Sequence, residues 1–223
     1  MALSAKIFRL NEYIPFDVIY DKLSNYRVEE EVEGIRVERF FRGLSYTGNM
    51  LKAEFVYDEP YEVDIGGELR VIPRRRYALT AFTEHEGTIY VAILEKRLRA
   101  NRIALMLSEI LFIRRDMVLE AYTTHEILKG LHESNPESTR VIYFDNVDIP
   151  NVRKLALYGS ALADTSLYSS YLEHGKIWYV VFEHRETGYV VGITRNMIIA
   201  MFSNITTDEF IDFIVEHIIP LTR

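Results

Sequence analysis

The stretch "AKIFRLNEYIPFDVIYDKL" (residues 5–23) runs from a predicted strand directly into a predicted helix. Residues 5–10 alternate between apolar and polar side chains, the pattern of a half-buried strand. Pro15 suits the first helical turn because its ring fixes φ near the helical value. Apolar residues then follow at the spacing of a single buried helix face, at Phe16, Ile19, Tyr20 and Leu23. The stretch therefore predicts a strand–helix unit.

The same joint returns in "RVIYFDNVDIPNVRKL" (residues 140–155), where an offset of 135 residues aligns Pro15 with Pro150. The offset also aligns Asn11 with Asn146 and Ile14 with Ile149, and Pro150 is predicted to open a second helix. Asn and Pro are ordinary loop-to-helix residues, so turn chemistry alone is an alternative explanation. The shared position between a first strand and a first helix favours internal duplication.

The first half continues as strands and ends in a helix. Period-two alternation predicts strands at "GIRVERFF" (34–41) and "MLKAEFVY" (50–57), and a hairpin in residues 76–96 that turns at "EHEG". Residues 60–73 are predicted to be a less regular strand pair or a long loop that turns at Gly66-Gly67. Good helix formers predict a helix over residues 97–113.

The second half is predicted to repeat this order. Before it, the capping box Thr123-x-x-Glu126 opens a connector helix that closes near the predicted linker "ESNPES" (133–138), and a second capping box, Thr206-x-x-Glu209, opens the last helix. The four predicted strands are "LYSSYLE" (167–173), "KIWYVVFEH" (176–184), "GYVVGIT" (188–194) and "NMIIAMFS" (196–203). The predicted division is a first α+β half (1–115), a helical connector (116–138) and a second α+β half (139–223).

This repeated strand–helix–strands–helix order resembles the duplicated saddle of the TATA-binding protein and related folds. The resemblance rests on the two strand–helix joints, on the hairpin "VVFEHRETGYVVGI" (180–193) and on the helices that end each half. It implies an α+β fold in which an extended antiparallel sheet lies under helices. It also implies a role in binding DNA or protein, although the paired phenylalanines that kink DNA in that family are not matched in this sequence.

Composition narrows the class of protein. The chain has no cysteine, which excludes disulfides and thiolate chemistry, and no glutamine, a bias typical of thermophiles. Early charges at Lys6 and Arg9, and the absence of an 18-residue apolar run, predict a cytoplasmic protein without a membrane segment. The net charge of −7 argues against a protein whose whole surface binds nucleic acid. Residues 69–115 nevertheless carry ten basic and four acidic side chains, which leaves a local basic face as an alternative.

Motifs for phosphate, dinucleotide, serine-nucleophile and zinc-protease chemistry are absent, so a non-catalytic protein without metal or cofactor is predicted. His125 and His132 lie too far apart on one helix to share a metal ion and are interpreted as satisfied or solvent-facing. His174 and His184 have acidic neighbours and are the best alternative for a small enzyme site. Polar strand ends are the favoured interpretation of both. Four acids between residues 58 and 64 are interpreted as a solvated loop.

Basic residues in the stretch 74–102 give a nucleic-acid-binding alternative. Phosphate contacts require cations on one face, whereas alternation sends Arg75 to the face opposite Arg74 and Arg76. Glu95 and Arg99 have the spacing of a surface ion pair on a helix. The candidate nucleic-acid-binding residues are Arg74, Arg75, Arg76, Lys96, Arg97, Arg99 and Arg102.

The strands of the second half are apolar on both faces, whereas a sheet covered by helices on one side needs only one apolar face. In residues 176–184, alternation assigns Ile177, Tyr179 and Val181 to one face and Trp178, Val180 and Phe182 to the other. The second face is predicted to be covered within the chain or by a partner. The leading hypothesis is therefore a binding or scaffold protein that acts through residues 167–202 and self-associates. The candidate partner-binding residues are Trp178, Tyr179, Phe182, Tyr189 and Met201.

Overall fold

The computed structural model describes residues 3–134, 137–160, 162 and 165–223. The chain is α+β, and its described part contains twelve strands and five α-helices. It divides into two compact units, an N-terminal unit of Phe8–Leu119 and a C-terminal unit that combines Met1–Ile7 with Glu120–Arg223. The boundary falls inside the first strand, so the first seven residues belong with the second half of the chain rather than with residues 8–115.

The N-terminal unit is an antiparallel meander with two helices. Strands β2 to β6 are neighbours in chain order. The elements of residues 3–120, of which β1 and β7 extend into the C-terminal unit, are β1 Leu3–Leu10, α1 Phe16–Ser24, β2 Arg27–Val32, β3 Ile35–Thr47, β4 Met50–Ile65, β5 Glu68–His85, β6 Thr88–Ile93, α2 Arg97–Phe112 and β7 Val118–Glu120. The predicted helix after Pro15, the hairpin of residues 76–96 and the helix from Arg97 are confirmed.

The strand-pair alternative for residues 60–73 is confirmed, although the pair is more regular than predicted, and one strand of this unit was not predicted. Residues 60–73 are part of a long regular hairpin of β4 and β5, which pair from Met50 opposite Thr83 to Ile65 opposite Glu68. Gly66-Gly67 forms the predicted turn, with φ values of 67° and 89° that favour glycine. The acidic run 29–33, for which no element was predicted, lies mostly in β2. Its glutamates pair with arginines of β3 such as Arg36 and Arg39, and these cross-strand ion pairs make an acidic strand possible.

The core of the N-terminal unit lies between the sheet and the two helices. Ile19 and Leu23 of α1 are fully buried, as the helical spacing predicts, and they share a cluster with Leu107 of α2 and Phe55 of β4. The amine of Lys22 donates to the main-chain oxygen of Leu111 at 2.6 Å, which joins the two helices. Full burial of an aliphatic side chain such as Ile19 or Leu23 contributes about 1.5–3 kcal/mol to the free energy of unfolding, relative to an exposed side chain.

The C-terminal unit is an antiparallel sheet with strand order β1-β12-β11-β10-β8-β9. Residues 3–6 of β1 pair with residues 198–201 of β12, and β9 is the last strand in the order. The bounds are α3 His125–Ser134, β8 Thr139–Asp145, β9 Leu155–Tyr158, α4 Ser166–His174, β10 Lys176–Glu183, β11 Val190–Thr194, β12 Ile198–Met201 and α5 Thr207–Phe213, followed by a π-helix Ile214–Ile218 and a 3₁₀-helix Ile219–Leu221.

Three local predictions for this unit are wrong. "LYSSYLE" is helix α4 rather than a strand, and Thr165 caps it by accepting a hydrogen bond from Tyr168 N at 3.2 Å. Pro150 lies in a turn that leads to β9 and opens no helix. Helix α3 is capped by Thr124, whose hydroxyl accepts from Ile127 N, rather than by Thr123. Residues 135 and 136 of the predicted linker lie outside the described residues.

The capping box at Thr206 is confirmed, because its hydroxyl accepts from Glu209 N at 3.2 Å while the Glu209 carboxylate accepts from Thr206 N at 2.7 Å. This reciprocal pair fixes the start of α5. Phe210 and Ile211 in the first turns of α5 are fully buried. Within the part of the chain that the structure describes, no helix is long and apolar enough to cross a membrane.

Candidate functional site

An irregularity in β10 decides which side chains share a face in the C-terminal unit. Ile177 pairs with Phe144 and Val180 with Ile142, and all four side chains are fully buried. The register between β10 and β8 shifts between Ile177 and Tyr179, as at a β-bulge. The prediction that Ile177 and Tyr179 share one face is therefore wrong, because a bulge breaks the period of two.

The bulge places Trp178 and Tyr179 next to each other on the opposite side of the sheet from Ile177. Tyr179 lies directly across from Tyr143 of β8, with the two ring centroids 5.5 Å apart. The Trp178 indole stacks on the same tyrosine, at 5.8 Å and an interplanar angle of 26°. Gly192 of β11 makes room for this packing, since a Cβ there would lie 2.9 Å from ring atoms of Tyr179.

Strand β9 and the loop before it complete this surface. Tyr158 is 64% exposed, its ring centroid lies 5.7 Å from that of Tyr143, and the two hydroxyls are hydrogen-bonded. The amine of Lys154 lies 4.4 Å from the centroid of the Trp178 ring, a cation–π contact. We define the aromatic face by these five residues: Tyr143, Lys154, Tyr158, Trp178 and Tyr179.

The polar atoms of the aromatic face are suited to hydrogen bonding with a ligand. Burial, followed by the neighbouring hydroxyls of Tyr143 and Tyr158, raises the pKa of Tyr179. The hydrogen bond between Tyr158 and Tyr143 raises the pKa of Tyr158, so Tyr158 and Tyr179 both stay neutral at physiological pH. Trp178 Nε1 is buried and has no hydrogen-bond partner among the described residues. A buried donor without an acceptor is unfavourable.

The five predicted partner-binding residues do not form one surface. Trp178 and Tyr179 belong to the aromatic face, whereas Phe182 and Met201 are 2% and 0% exposed and are core residues. Tyr189 is half-buried, with its ring centroid 5.7 Å from that of Phe213. Local sequence patterns did not identify Tyr143, Lys154 and Tyr158. Its prediction of a helix after Pro150 removed β9 from the sheet, and with it the signal that these residues meet.

The predicted nucleic-acid-binding arginines are largely engaged with acids of their own unit. Arg75 binds Asp58 through Nε at 2.9 Å and also contacts Glu38, and these two acids raise its pKa. Asp58 is 7% exposed, so the prediction of a solvated acidic loop is wrong at that residue. Arg76 pairs with Glu59, Arg74 lies over the Tyr61 ring, and the predicted Glu95–Arg99 pair is confirmed at 3.1 Å.

The remaining basic candidates lie at the start of α2. Lys96 and Arg97 are exposed at its first turn. Arg99 and Arg102 line a cavity of about 390 Å³ together with Tyr57. The Tyr57 hydroxyl is buried without a partner among the described residues, and burial raises its pKa to about 12. The basic residues of the stretch 74–102 therefore form two separate groups, one at Arg74 to Arg76 and one at the start of α2, rather than one row of cations.

His174 and His184, the alternative candidates for a small enzyme site, have different neighbours in the structure. His174 Nδ1 lies 2.8 Å from Asp148 Oδ1, and His184 instead meets His217, with ring centroids 4.4 Å apart. Burial, and then the neighbouring His217, lowers the pKa of His184. His125 Nδ1 accepts a hydrogen bond from Ile177 N at 2.8 Å, and burial lowers its pKa. His132 is fully buried, and neither ring nitrogen has a described partner, so its interpretation as satisfied or solvent-facing is wrong.

Comparison with known proteins adds no functional assignment. No protein-family model matches the chain, and no curated protein is significantly similar to it. The geometry of the aromatic face, the basic residues and the histidines is therefore the basis for the function proposed below.

Proposed function

We propose that this chain is a non-catalytic binding protein whose recognition surface is the aromatic face, and that the first occupant of this face is a second copy of the chain. The observation that carries the proposal is the stack of half-buried Tyr143, Trp178 and Tyr179 on the side of the sheet opposite the buried Ile177. Trp and Tyr are enriched among the residues that anchor protein interfaces, because they bury a large area and still offer a hydrogen bond.

Charge supports a protein occupant over nucleic acid. Affinity for nucleic acid comes mainly from several Lys and Arg side chains that neutralise phosphates. The aromatic face has one such cation, Lys154, over its rings, and the net charge of the chain is −7. The arginines of the predicted basic stretch are offset by acids such as Asp58, Glu59 and Glu95. A symmetric dimer is the commonest assembly of soluble proteins and needs no second partner.

The test uses Trp178, which is the only tryptophan in the chain and therefore reports on the aromatic face by its own fluorescence. We expect sedimentation equilibrium to show a concentration-dependent dimer and the Trp178 emission to shift over the same concentration range. Trp178→Glu places a charge on the face and should weaken the dimer at least about tenfold, which corresponds to about 1.4 kcal/mol.

Leu167→Glu is the matched control, because Leu167 is 52% exposed on α4, outside the aromatic face. This control should dimerise as the wild type does, and circular dichroism should show that both variants are folded. A wild type that stays monomeric at all concentrations would disprove self-association. Binding of a single-stranded oligonucleotide, with an affinity that falls linearly on a log–log plot against salt, would instead support the nucleic-acid-binding alternative.

The duplicated, TATA-binding-protein-like saddle stays a prediction. Each unit contains an antiparallel sheet with helices, which supports it. The turn after Pro150, where the first copy has helix α1 after Pro15, weakens the correspondence at the joint that suggested it. An experimental structure in which β1–α1 and the region after β8 superpose would support the duplication.

A further inference from the structure

The hairpin turn between β10 and β11 holds His184 in a fixed position. His184 N donates to the main-chain oxygen of Tyr189 at 2.8 Å, and Gly188 N donates to the main-chain oxygen of His184 at 2.7 Å. Gly188 has a φ of 69°, in the left-handed region that favours glycine. These two main-chain hydrogen bonds close the turn that carries the His184 ring and the exposed Glu186 side chain.

A change of helix type places His217 beside this turn. Helix α5 ends at Phe213, and residues Ile214–Ile218 form a π-helix that contains His217. Short π-helical segments occur frequently at functional sites, where the extra residue redirects side chains. The Phe213 ring lies against both imidazoles, 5.2 Å from His184 and 5.1 Å from His217, and forms an apolar wall on one side of them.

We propose that His184, Glu186 and His217 bind a divalent transition-metal ion of the zinc class. One ligand atom from each of the three side chains lies within 4.8 Å of the other two. Two imidazoles and one carboxylate are a regular zinc ligand set, with a fourth position for water. Tetrahedral bonds of about 2.0–2.2 Å require ligand atoms roughly 3.4 Å apart, so distances between ligand atoms must shorten by up to about 1.4 Å on binding. The exposed Glu186 side chain is free to make most of this movement.

A hydrogen bond outside the three ligands supports this assignment. His184 Nδ1 lies 3.2 Å from the hydroxyl of Thr187. Metal-binding histidines usually hydrogen-bond through the nitrogen that does not bind the metal, which fixes the tautomer. When Nδ1 donates to Thr187, Nε2 is the unprotonated nitrogen that a metal ion requires.

Metal binding at this site would join the β10–β11 turn to the C-terminal helical segment within one unit. Residues 184 and 217 are separated by 33 positions in the sequence, so the metal would close a long loop and restrict the unfolded chain. This role is separate from the aromatic face, which uses none of the three ligands. Failure of the proposed dimer would therefore leave the metal site intact, and the reverse also holds.

The test is a titration of the chelator-treated full chain with Zn²⁺ against a chromophoric competitor, together with Co²⁺ absorption as a probe of tetrahedral coordination. We expect one ion per chain and a rise in melting temperature on addition of Zn²⁺, because a ligand that binds only the folded state stabilises it. His184→Ala and His217→Ala should each lower the Zn²⁺ affinity roughly 100-fold, and Glu186→Gln roughly tenfold.

Two matched variants separate this site from general surface binding. His174→Ala removes a histidine that pairs with Asp148, and Glu216→Gln removes the carboxylate 3.8 Å from His217 Nε2. Both should bind Zn²⁺ as the wild type does. Because Glu186 is exposed, Glu186→Gln remains informative even if a histidine variant does not fold. The proposal would be overturned if the wild type bound no stoichiometric Zn²⁺. It would also be overturned if Glu186→Gln and either histidine variant both bound Zn²⁺ with wild-type affinity.

Discussion

His132 on helix α3 is a titratable side chain in an environment that disfavours its charge. It is fully buried, its ring centroid lies 4.6 Å from that of Tyr168, and neither nitrogen has a partner among the described residues. Burial lowers its pKa below the unfolded value of about 6.5. Below that pH His132 binds a proton in the unfolded chain but not in the folded chain. The free energy of unfolding therefore falls as the pH falls.

His132→Leu should remove this contribution. We expect urea unfolding to show a smaller loss of stability between pH 7.5 and pH 5 than in the wild type. The difference should reach up to about 1.4 kcal/mol for each pH unit below the unfolded pKa. At pH 7.5 the variant should be about 1 kcal/mol more stable, because a buried N–H without an acceptor is replaced by an apolar group. A His132→Leu variant that loses stability as steeply as the wild type between pH 7.5 and pH 5 would show that His132 does not cause this pH dependence.

For individual residues, the sequence indicated which side chains are candidates for binding better than it indicated the face of the sheet on which each side chain lies. Trp178 and Tyr179 were both singled out, but strict alternation assigned them to opposite faces. The register shift that brings them together depends on pairing with β8, and the local sequence carries no signal for it. The approach of His217 to His184 depends on tertiary packing between distant segments, which the local sequence does not reveal.

At the scale of elements, the start of α3 shows how neighbouring threonines differ. The sequence pattern favours Thr123 as the cap, because Glu126 follows three residues later. In the structure Thr124 caps the helix, whereas the Thr123 hydroxyl is buried without a partner among the described residues. Two adjacent candidates for one cap cannot be separated by spacing alone, since either choice shifts the helix by a single residue.

Substitution of each threonine by valine tests this assignment. Thr124→Val removes the oxygen that accepts from Ile127 N, and we expect a loss of about 1 kcal/mol in the free energy of unfolding. Thr123→Val replaces an unpaired buried hydroxyl with a methyl group and should be neutral or stabilising. Denaturant midpoints of the two variants measured side by side decide the question, and the reverse order would return the cap to Thr123.

Elements with strong periodicity were predicted well, and short or polar elements were not. The buried face of α1 and the hairpin of β5 and β6 follow directly from spacing and turn residues. Strand β2 escaped detection because its acids are stabilised by arginines of the adjacent strand, a partner that a local pattern does not contain. Helix α4 was taken for a strand because its tyrosines and serines are poor indicators of helix, and only its cap at Thr165 marked it.

At the scale of the whole molecule, the C-terminal unit is built from two distant parts of the chain. Leu3 to Lys6 of β1 pair with Ile198 to Met201 of β12. Ala121 N donates to the main-chain oxygen of Ile7 at 3.1 Å, and the buried amine of Lys6 binds Glu120 at 2.5 Å. A division of the sequence into consecutive halves cannot reveal this arrangement, because pairing partners nearly 200 residues apart leave no mark on local periodicity.

This organisation predicts that residues 120–223 alone do not form the native C-terminal unit. Without residues 3–7, β12 keeps β11 but loses its second partner strand, and the apolar cover supplied by the fully buried Ala5 and Ile7 is lost. We expect the fragment 120–223 to lack a cooperative thermal transition and to show solvent-shifted Trp178 fluorescence. Joining residues 1–7 to residue 120 through a flexible linker of about eight residues should restore both signals, because Ile7 and Ala121 are already hydrogen-bonded neighbours. A fragment 120–223 that melts as cooperatively as the linked form would show that β1 is dispensable to this unit.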